Sequence, residues 1–304
     1  MRTFHHGEFP PERIARERTA TVSVCLPTRE EAETIGGIVA TLVELRELGV
    51  ADQVVVVDAG STDGTPDIAA RYGAEVYQQD ELQRDFGPVL GKGDAMWRAL
   101  SVLRGEVVCY LDADSSDFGA HFACGVLGPL LCLEGVDYVK AFYRRPFTAH
   151  GAESPEGGGR VTELTARPLL NLFYPELATV RQPLAGEIGA RRSLLERLPH
   201  VVGYGVEIAQ LIDACREVGP AAIAQVDLEV RQNRHQPLRD LGPMAYAVLI
   251  AVGERLAREG RLDASALEAA AARFLVPGEA GEVEELTVPV LERPPMASLR
   301  AAPA

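Results

Sequence analysis

Asp112 and Asp114 stand one residue apart at the end of the apolar run Val107-Val-Cys-Tyr-Leu111. In an extended chain residues i and i+2 point to the same side, so the two carboxylates can converge on one ligand. Hard oxygen donors suit Mg²⁺ or Mn²⁺, and such an ion would in turn hold a diphosphate. A solvated turn at a strand end is the plainer alternative, because Asp is a common turn residue. Gln53-Val-Val-Val-Val-Asp58 repeats the pattern: an apolar run delivers a carboxylate, followed by Gly60, Ser61 and Asp63. Gly91-Lys92-Gly93-Asp94 opens a helix, where backbone N–H groups and an ammonium can both face an anion. It is not a P-loop, because the earlier glycine and the Ser/Thr after the lysine are missing. Gly157-Gly-Gly159-Arg160-Val-Thr162 can bring backbone donors, a guanidinium and a hydroxyl onto one phosphate or carboxylate. A glycine loop capped by a surface arginine is its bland counterpart.

These groups need a scaffold that brings them to one place, and the periodicity supplies it. Strands are expected at Thr21–Leu26 (ended by Pro27), Gln53–Asp58, Ala74–Tyr77, Val107–Leu111, Tyr138–Tyr143 and Ala222–Val230. Helices are expected over residues 30–48, 65–72, 91–103, 115–133, 190–198, 208–218 and 243–259. Strand and helix in alternation imply an α/β, mainly parallel sheet with right-handed crossovers. Ligands in such sheets gather beyond the carboxyl ends of the strands. Pro27, Asp58, Asp112, Asp114 and the segment Arg231-Gln-Asn233-Arg-His235 all fall at such ends. Four regions follow: an N-terminal arm over 1–18, an alternating strand–helix half over 19–145, a second half with C-terminal helices over 146–276, and a loose tail over 277–304. His150–Gly159 reads as a flexible glycine-rich loop, and the paired His5 and His6 of the arm as inert.

The formal charge of -14 argues against nucleic acid and anionic membranes as partners. Five cysteines without metal-type spacing read as reduced core residues of a cytoplasmic protein. No apolar run is long enough to span a bilayer, and the start Met1-Arg-Thr-Phe-His-His lacks a signal-peptide core.

The ordered set of strand-Pro27 with Glu31, strand-Asp58 with Gly60-Ser61, and strand-Asp112-Ala-Asp114 resembles a GT-A glycosyltransferase, a Rossmann-like nucleotide-diphospho-sugar transferase fold. Further motifs are Lys140-Ala-Phe-Tyr-Arg-Arg-Pro146, Gly157-Gly-Gly-Arg-Val-Thr-Glu-Leu164, Gln182-Pro-Leu-Ala-Gly-Glu187 and Gly203-Tyr-Gly-Val-Glu-Ile208. With these, residues 20–245 resemble the glucosyl-3-phosphoglycerate synthase family, which includes mannosyl-3-phosphoglycerate synthases. The resemblance implies retaining transfer of glucose or mannose from UDP-glucose, GDP-glucose or GDP-mannose to the 2-hydroxyl of 3-phosphoglycerate, for compatible-solute or polysaccharide biosynthesis, with Mg²⁺ or Mn²⁺. It implies nucleotide-sugar contacts at Pro27, Glu31, Ser61, Lys92, Asp112 and Arg231, and a metal ligand at Asp114. Gly159, Arg160, Thr162 and Asn233 would hold the acceptor. Glu207 would face the reacting centre as nucleophile, base or sugar anchor; retention by same-face displacement needs no nucleophile and favours the anchor.

Three positions depart from the family pattern. Glu30 stands where Asn is usual, Ala185 where Ser is common, and Asn233 where the family places its metal-binding His. His235 lies two residues on and would share a face with Asn233 in an extended segment, so His235 is taken as the second metal ligand, with Asn233 as the alternative. The competing readings are a GT-A transferase acting on a lipid phosphate or another small hydroxy acid, and a non-catalytic sugar-nucleotide-binding protein. The apolar face of 243–259 suggests a homodimer.

Overall fold

The computed structural model describes residues 1–145, 147–149, 152–154, 159–231, 237–268, 273–277 and 283–300. Along the chain, β1 (Arg2–His5) and α1 (Pro11–Glu17) precede the alternating β2 (Val22–Thr28), α2 (Ile35–Glu47), β3 (Gln53–Asp58), α3 (Thr65–Arg71) and β4 (Glu75–Gln78). Then follow α4 (Lys92–Ala99), β5 (Val107–Tyr110), α5 (Ala120–Cys132), β6 (Tyr138–Arg144), and the short strands β7 (Phe147–Ala149) and β8 (Ala152–Ser154). The second half holds α6 (Arg167–Phe173), β9 (Ile188–Arg191), α7 (Arg192–Leu195), β10 (His200–Val201), α8 (Val206–Val218) and β11 (Ile223–Val230). It closes with α9 (Leu241–Arg258), α10 (Ser265–Glu268), β12 (Arg273–Pro277), β13 (Val283–Thr287), β14 (Glu292–Arg293) and α11 (Met296–Arg300).

Eight strands make one sheet in the order β1-β11-β6-β9-β5-β2-β3-β4. Every neighbouring pair is parallel except those of β9, which runs antiparallel to both β5 and β6. The central strands are continuous Val/Leu/Cys runs because both faces are covered. Val55 and Val57 of β3 enter one core with Trp97, Leu211 and Leu194, while Val54 and Val56 enter the other with Ile38, Leu42 and Phe122.

Several boundaries differ from the sequence reading, each for a packing reason. Pairing of β2 with β5 stops at Cys25↔Tyr110, so Pro27 leaves no gap in that ladder and β2 runs on to Thr28. Glu30 has φ +57, which no helix tolerates, and α2 therefore starts at Ile35 rather than residue 30. The stretch expected as a helix over 190–198 begins as β9, where a Cβ on Gly189 would come within 2.7 Å of both Val126 and Leu130 of α5. Glycine lets the helix lie flat on that strand.

Near both ends of the chain, described residues take part in the fold. The expected arm supplies β1, an edge strand paired with β11 from Arg2↔Ala224 to His5↔Asp227. Phe9 and Ile14 are buried, and the Phe9 ring fills the space that a Cβ on Gly128 would need, 2.1 Å from its Cγ. In the region expected to be a loose tail, β14 pairs with β10, and Val288, Val290 and Met296 are buried. Arg293 grips Asp94 of α4 with Nε to Oδ1 at 2.8 Å and Nη2 to Oδ2 at 2.7 Å, and Trp97 Nε1 donates to the Pro294 carbonyl at 2.8 Å. The tail therefore braces the helix that carries Lys92.

Candidate active site

The topology decides which residues meet. With all strands of the eight-stranded sheet but β9 pointing one way, the carboxyl ends of β2, β3, β5, β6 and β11 share an edge with the amino end of β9. Asp112 and Asp114 follow β5, Tyr143 ends β6, Glu187 precedes β9 and Arg231 follows β11.

Arg231 is 1% exposed and sits at the centre. Its Nη1 donates to Asp112 Oδ2 at 3.0 Å and to the Tyr143 hydroxyl at 2.8 Å, and Nε donates to Ser115 Oγ at 2.8 Å. It also forms short ion pairs with Asp114 Oδ1 and Glu187 Oε1. The Tyr143 hydroxyl donates in turn to Glu187 Oε2 at 2.9 Å and accepts from Arg145 at 2.7 Å. Burial disfavours the Arg231 charge, but the surrounding carboxylates outweigh it and hold the guanidinium firmly protonated.

Lys92 is the first residue of α4. Gly93 beside it has no room for a side chain, since a Cβ there would lie 1.9 Å from the Val201 carbonyl, so α4 packs directly on β10. The ammonium is thereby aimed at Asp112 Oδ1, 2.5 Å away, and at Glu207 Oε1, 3.1 Å away in the first turn of α8. Burial opposes the charge of Asp112, yet Lys92 and Arg231 together hold its carboxyl well below the usual range. Gly186 forms a bare wall here, because a Cβ would stand 2.3 Å from Asp112 Oδ1 and 2.5 Å from Lys92 Nζ. Lys140 is buried nearby, donates to the Ala185 carbonyl at 2.5 Å, and is pushed down to about 7 by burial.

At the β2 and β3 ends the polar groups tie two loops together. Ser61 donates from Oγ to Asp58 Oδ1 at 2.7 Å and from N to Oδ2 at 2.8 Å, while its Oγ accepts from Glu30 N at 2.8 Å. Glu31 N donates to Thr65 Oγ1 at 2.9 Å, and Thr28 Oγ1 donates to Asp58 Oδ1 at 3.2 Å. Pro27 and Glu31 are half-buried beside this pair of loops.

A cavity of about 430 Å³ opens beside the Arg231 cluster, lined by Tyr143, Arg144, Arg145, Gly159, Thr162, Glu163, Arg181, Gln182, Leu184 and Ala185. Gly159 has φ +77, and the chain enters a widened π-helical turn over Thr162–Ala166, a geometry that often marks functional sites. Glu163 is held by Arg167 at 2.7 and 2.8 Å, which leaves the arginines to give the cavity its positive character. Arg181 stacks on Phe142 at 4.6 Å and Arg145 on Tyr143 at 5.0 Å.

Of the residues singled out from the sequence, Lys92, Asp112, Asp114, Glu207 and Arg231 converge, Gly159 and Thr162 line the adjoining cavity, and Pro27, Glu31 and Ser61 lie at the neighbouring strand ends. Arg160 follows Gly159 but is not among the lining residues. Asn233 and His235 lie outside the described residues. Glu187, Tyr143, Arg145 and Arg181 were missed as site residues. The motifs around them were visible, but a role for Glu187 depends on knowing that β9 runs backwards.

The Glycosyl transferase family 2 model matches residues 23–119, which carry the β2, β3 and β5 edges. The chain is 41% identical over 308 residues to the glucosyl-3-phosphoglycerate synthase of Petrotoga mobilis, covering 98% of this chain and 94% of that protein. This chain belongs to the glucosyl-3-phosphoglycerate synthase family. Its structure superposes on the mannosyl-3-phosphoglycerate synthase of Rubrobacter xylanophilus with a TM-score of 0.89 and 50% identity, covering 98% and 96% of the two chains. It superposes on the Mycobacterium tuberculosis glucosyl-3-phosphoglycerate synthase, solved with Mn²⁺, UDP-glucose and phosphoglyceric acid, with a TM-score of 0.83 and 36% identity over 99% of each chain. The fold is GT-A, and the protein is a hexosyltransferase of the glucosyl-/mannosyl-3-phosphoglycerate synthase type.

Proposed function

We propose that this enzyme moves a hexose, with retention at the anomeric carbon, from a nucleoside diphosphate sugar to the 2-hydroxyl of 3-phosphoglycerate. The observation that carries the reading is the arginine-lined cavity adjoining the Lys92–Asp112–Arg231 cluster through Tyr143, Arg145 and Ala185. An acceptor with both a phosphate and a carboxylate needs guanidinium and backbone donors, which Arg144, Arg145, Arg181 and the Gly159 turn present.

Asp114 suits a divalent cation. Its side chain is 41% exposed, and among the described residues only Oδ1 is engaged, by Arg231, which leaves Oδ2 open to a hard ion such as Mg²⁺ or Mn²⁺. Such an ion supplies charge to the diphosphate as a Lewis acid. His235, with Asn233 as the alternative, is assigned as its second protein ligand. Lys92 and Arg231 bring further positive charge to the leaving diphosphate by exchanging a carboxylate partner for phosphate oxygen. Glu207, already committed to Lys92 and 9% exposed, anchors a sugar hydroxyl and orients Lys92 rather than attacking the sugar. Same-face displacement lets the acceptor proton pass to the departing phosphate, so no enzyme nucleophile is needed.

The donor is UDP-glucose, GDP-glucose or GDP-mannose, since C2 epimers differ by only a few contacts. Incubating the protein with Mg²⁺, 3-phosphoglycerate and each donor in parallel tests the reading. A phosphorylated glycosylglycerate with retained configuration supports it, and absence of product from all three donors overturns it.

We also assign the enzyme to the cytoplasm, on its five free thiols and phosphorylated substrates. No helix among the described residues is long and apolar enough to cross a membrane. A homodimer involving α9, where Leu249 is 47% exposed, is tested by sedimentation at micromolar concentration.

A further inference from the structure

At the far edge of the sheet, the first strand brings two imidazoles against a strained carboxylate. The β1 register places His5 opposite Asp227, where the pairing of β11 with β6 slips between Asp227 and Val230. Within that slip Glu229 has φ +68, a left-handed conformation that costs a glutamate free energy and persists only where the surroundings impose it. Glu229 Oε1 lies 3.3 Å from His5 Nε2 and 3.2 Å from His6 Nε2.

Those separations have a chemical meaning. Bonds of about 2.0–2.1 Å to a tetrahedral Zn²⁺ put neighbouring ligand atoms about 3.3–3.4 Å apart. Both N···O distances match an edge of such a tetrahedron, and all three ligand atoms lie within 4.8 Å of one another. His6 Nε2 is also buried, and Glu229 Oε1 at 3.2 Å is its neighbour, off the angle of a well-formed hydrogen bond. Buried ring nitrogens ordinarily make well-aligned hydrogen bonds, and this one, beside a carboxylate but off its hydrogen-bond axis, has its lone pair free for an ion between the two. Two imidazoles with one carboxylate select a borderline cation over the hard ions that suit Asp114.

We propose that His5, His6 and Glu229 bind one divalent cation of the Zn²⁺ class, with water in the fourth position, fastening β1 to β11. One local bond is given up. His5 Nδ1 accepts from Gly7 N at 3.1 Å, and coordination through Nε2 places the proton on Nδ1. The turn keeps its other half, because Glu8 Oε1 accepts from His5 N at 2.8 Å.

The test uses Co²⁺, which takes the same ligands and shows tetrahedral geometry as intense visible absorption, titrated into untagged full-length enzyme in excess Mg²⁺. The expected result is one equivalent of tetrahedral Co²⁺, displaced by Zn²⁺, in the wild type and equally in Asp114→Asn. His5→Ala and Glu229→Gln lose it, their affinity falling by more than the roughly tenfold to hundredfold typical of a lost outer partner. His5 and Glu229 are 49% and 56% exposed, so neither variant threatens the fold, and unfolding temperatures without metal verify this. Zn²⁺ raises the unfolding temperature of the wild type but not of those two. No tetrahedral band in the wild type, a band that survives both substitutions, or one that vanishes with Asp114→Asn overturns the proposal.

Discussion

The two halves of the active edge handle charge in opposite ways. On the donor side the central charges among the described residues are paired: Lys92 with Asp112 and Glu207, and Arg231 with Asp112, Asp114 and Glu187. On the acceptor side the cavity is lined by Arg144, Arg145 and Arg181, and the one carboxylate in its lining among the described residues, Glu163, is turned to Arg167. Buried charge survives only with a partner, so the deep cluster must carry its own counter-ions, which the proposed mechanism has it exchange for a diphosphate. The open cavity presents its arginines to an incoming anion.

That contrast can be broken most directly at Asp114. Asp114→Ala is expected to reduce transfer to background while leaving the unfolding temperature close to wild type, because Arg231 retains Asp112 and Glu187; unimpaired turnover would remove Asp114 from the metal role. Arg231→Ala is expected to do what Asp114→Ala does not. It strands buried carboxylates without a counter-ion, a loss on the order of 3–5 kcal/mol of stability, measurable by denaturant unfolding. A stability within error of wild type would show that the donor cluster is not held by its ion pairs.

On the acceptor side, Arg181→Ala is expected to raise KM for 3-phosphoglycerate about tenfold to a hundredfold, as loss of a charge-assisted bond of about 1.5–3 kcal/mol implies, with KM for the sugar nucleotide nearly unchanged. Arg160→Ala, placed by the sequence but not lining the cavity, is expected to show the same selectivity at smaller amplitude. Equal effects on both substrates would erase the division between the two halves.

The pairing also sets an acid limit. Because Lys92 and Arg231 overcome burial and lower the Asp112 carboxyl in the folded state, its contribution is fully present above the ordinary carboxyl value of about 4 and is lost as pH falls below it. Asp112→Asn is expected to flatten that part of the stability profile in acid titrations. The smallest effect concerns Glu30, whose φ of +57 suits the Asn usual in the family. Glu30→Asn is expected to stabilise by about 1 kcal/mol or less, offset in part if it loses the bond from Thr62 N at 2.9 Å, as a shift in the unfolding midpoint would show.

Much of the donor edge was legible from residues alone. Apolar runs ending in Asp58 and Asp112 locate strands and their carboxyl ends, and a strand–helix rhythm places those ends together whatever the side chains later do. Lys92 and Glu207 were legible from Gly91-Lys92-Gly93 and from the family motif at Gly203–Ile208. The ends of the chain were not, since polar and proline-rich composition says nothing of the pockets that receive Phe9 or the Arg293 fork.

By itself, then, the sequence determined the class of fold and the strand ends that carry Asp58 and Asp112, because strand period and crossover handedness are local rules that act in every parallel sheet, while its ordered motifs pointed to the family. The tertiary structure alone decided that β9 runs antiparallel between β5 and β6, bringing Glu187 to the edge where Arg231 and Tyr143 end their strands. Strand direction depends on which neighbours pair and on where Gly189 lets α5 pack, contacts far apart in the chain that no local pattern encodes.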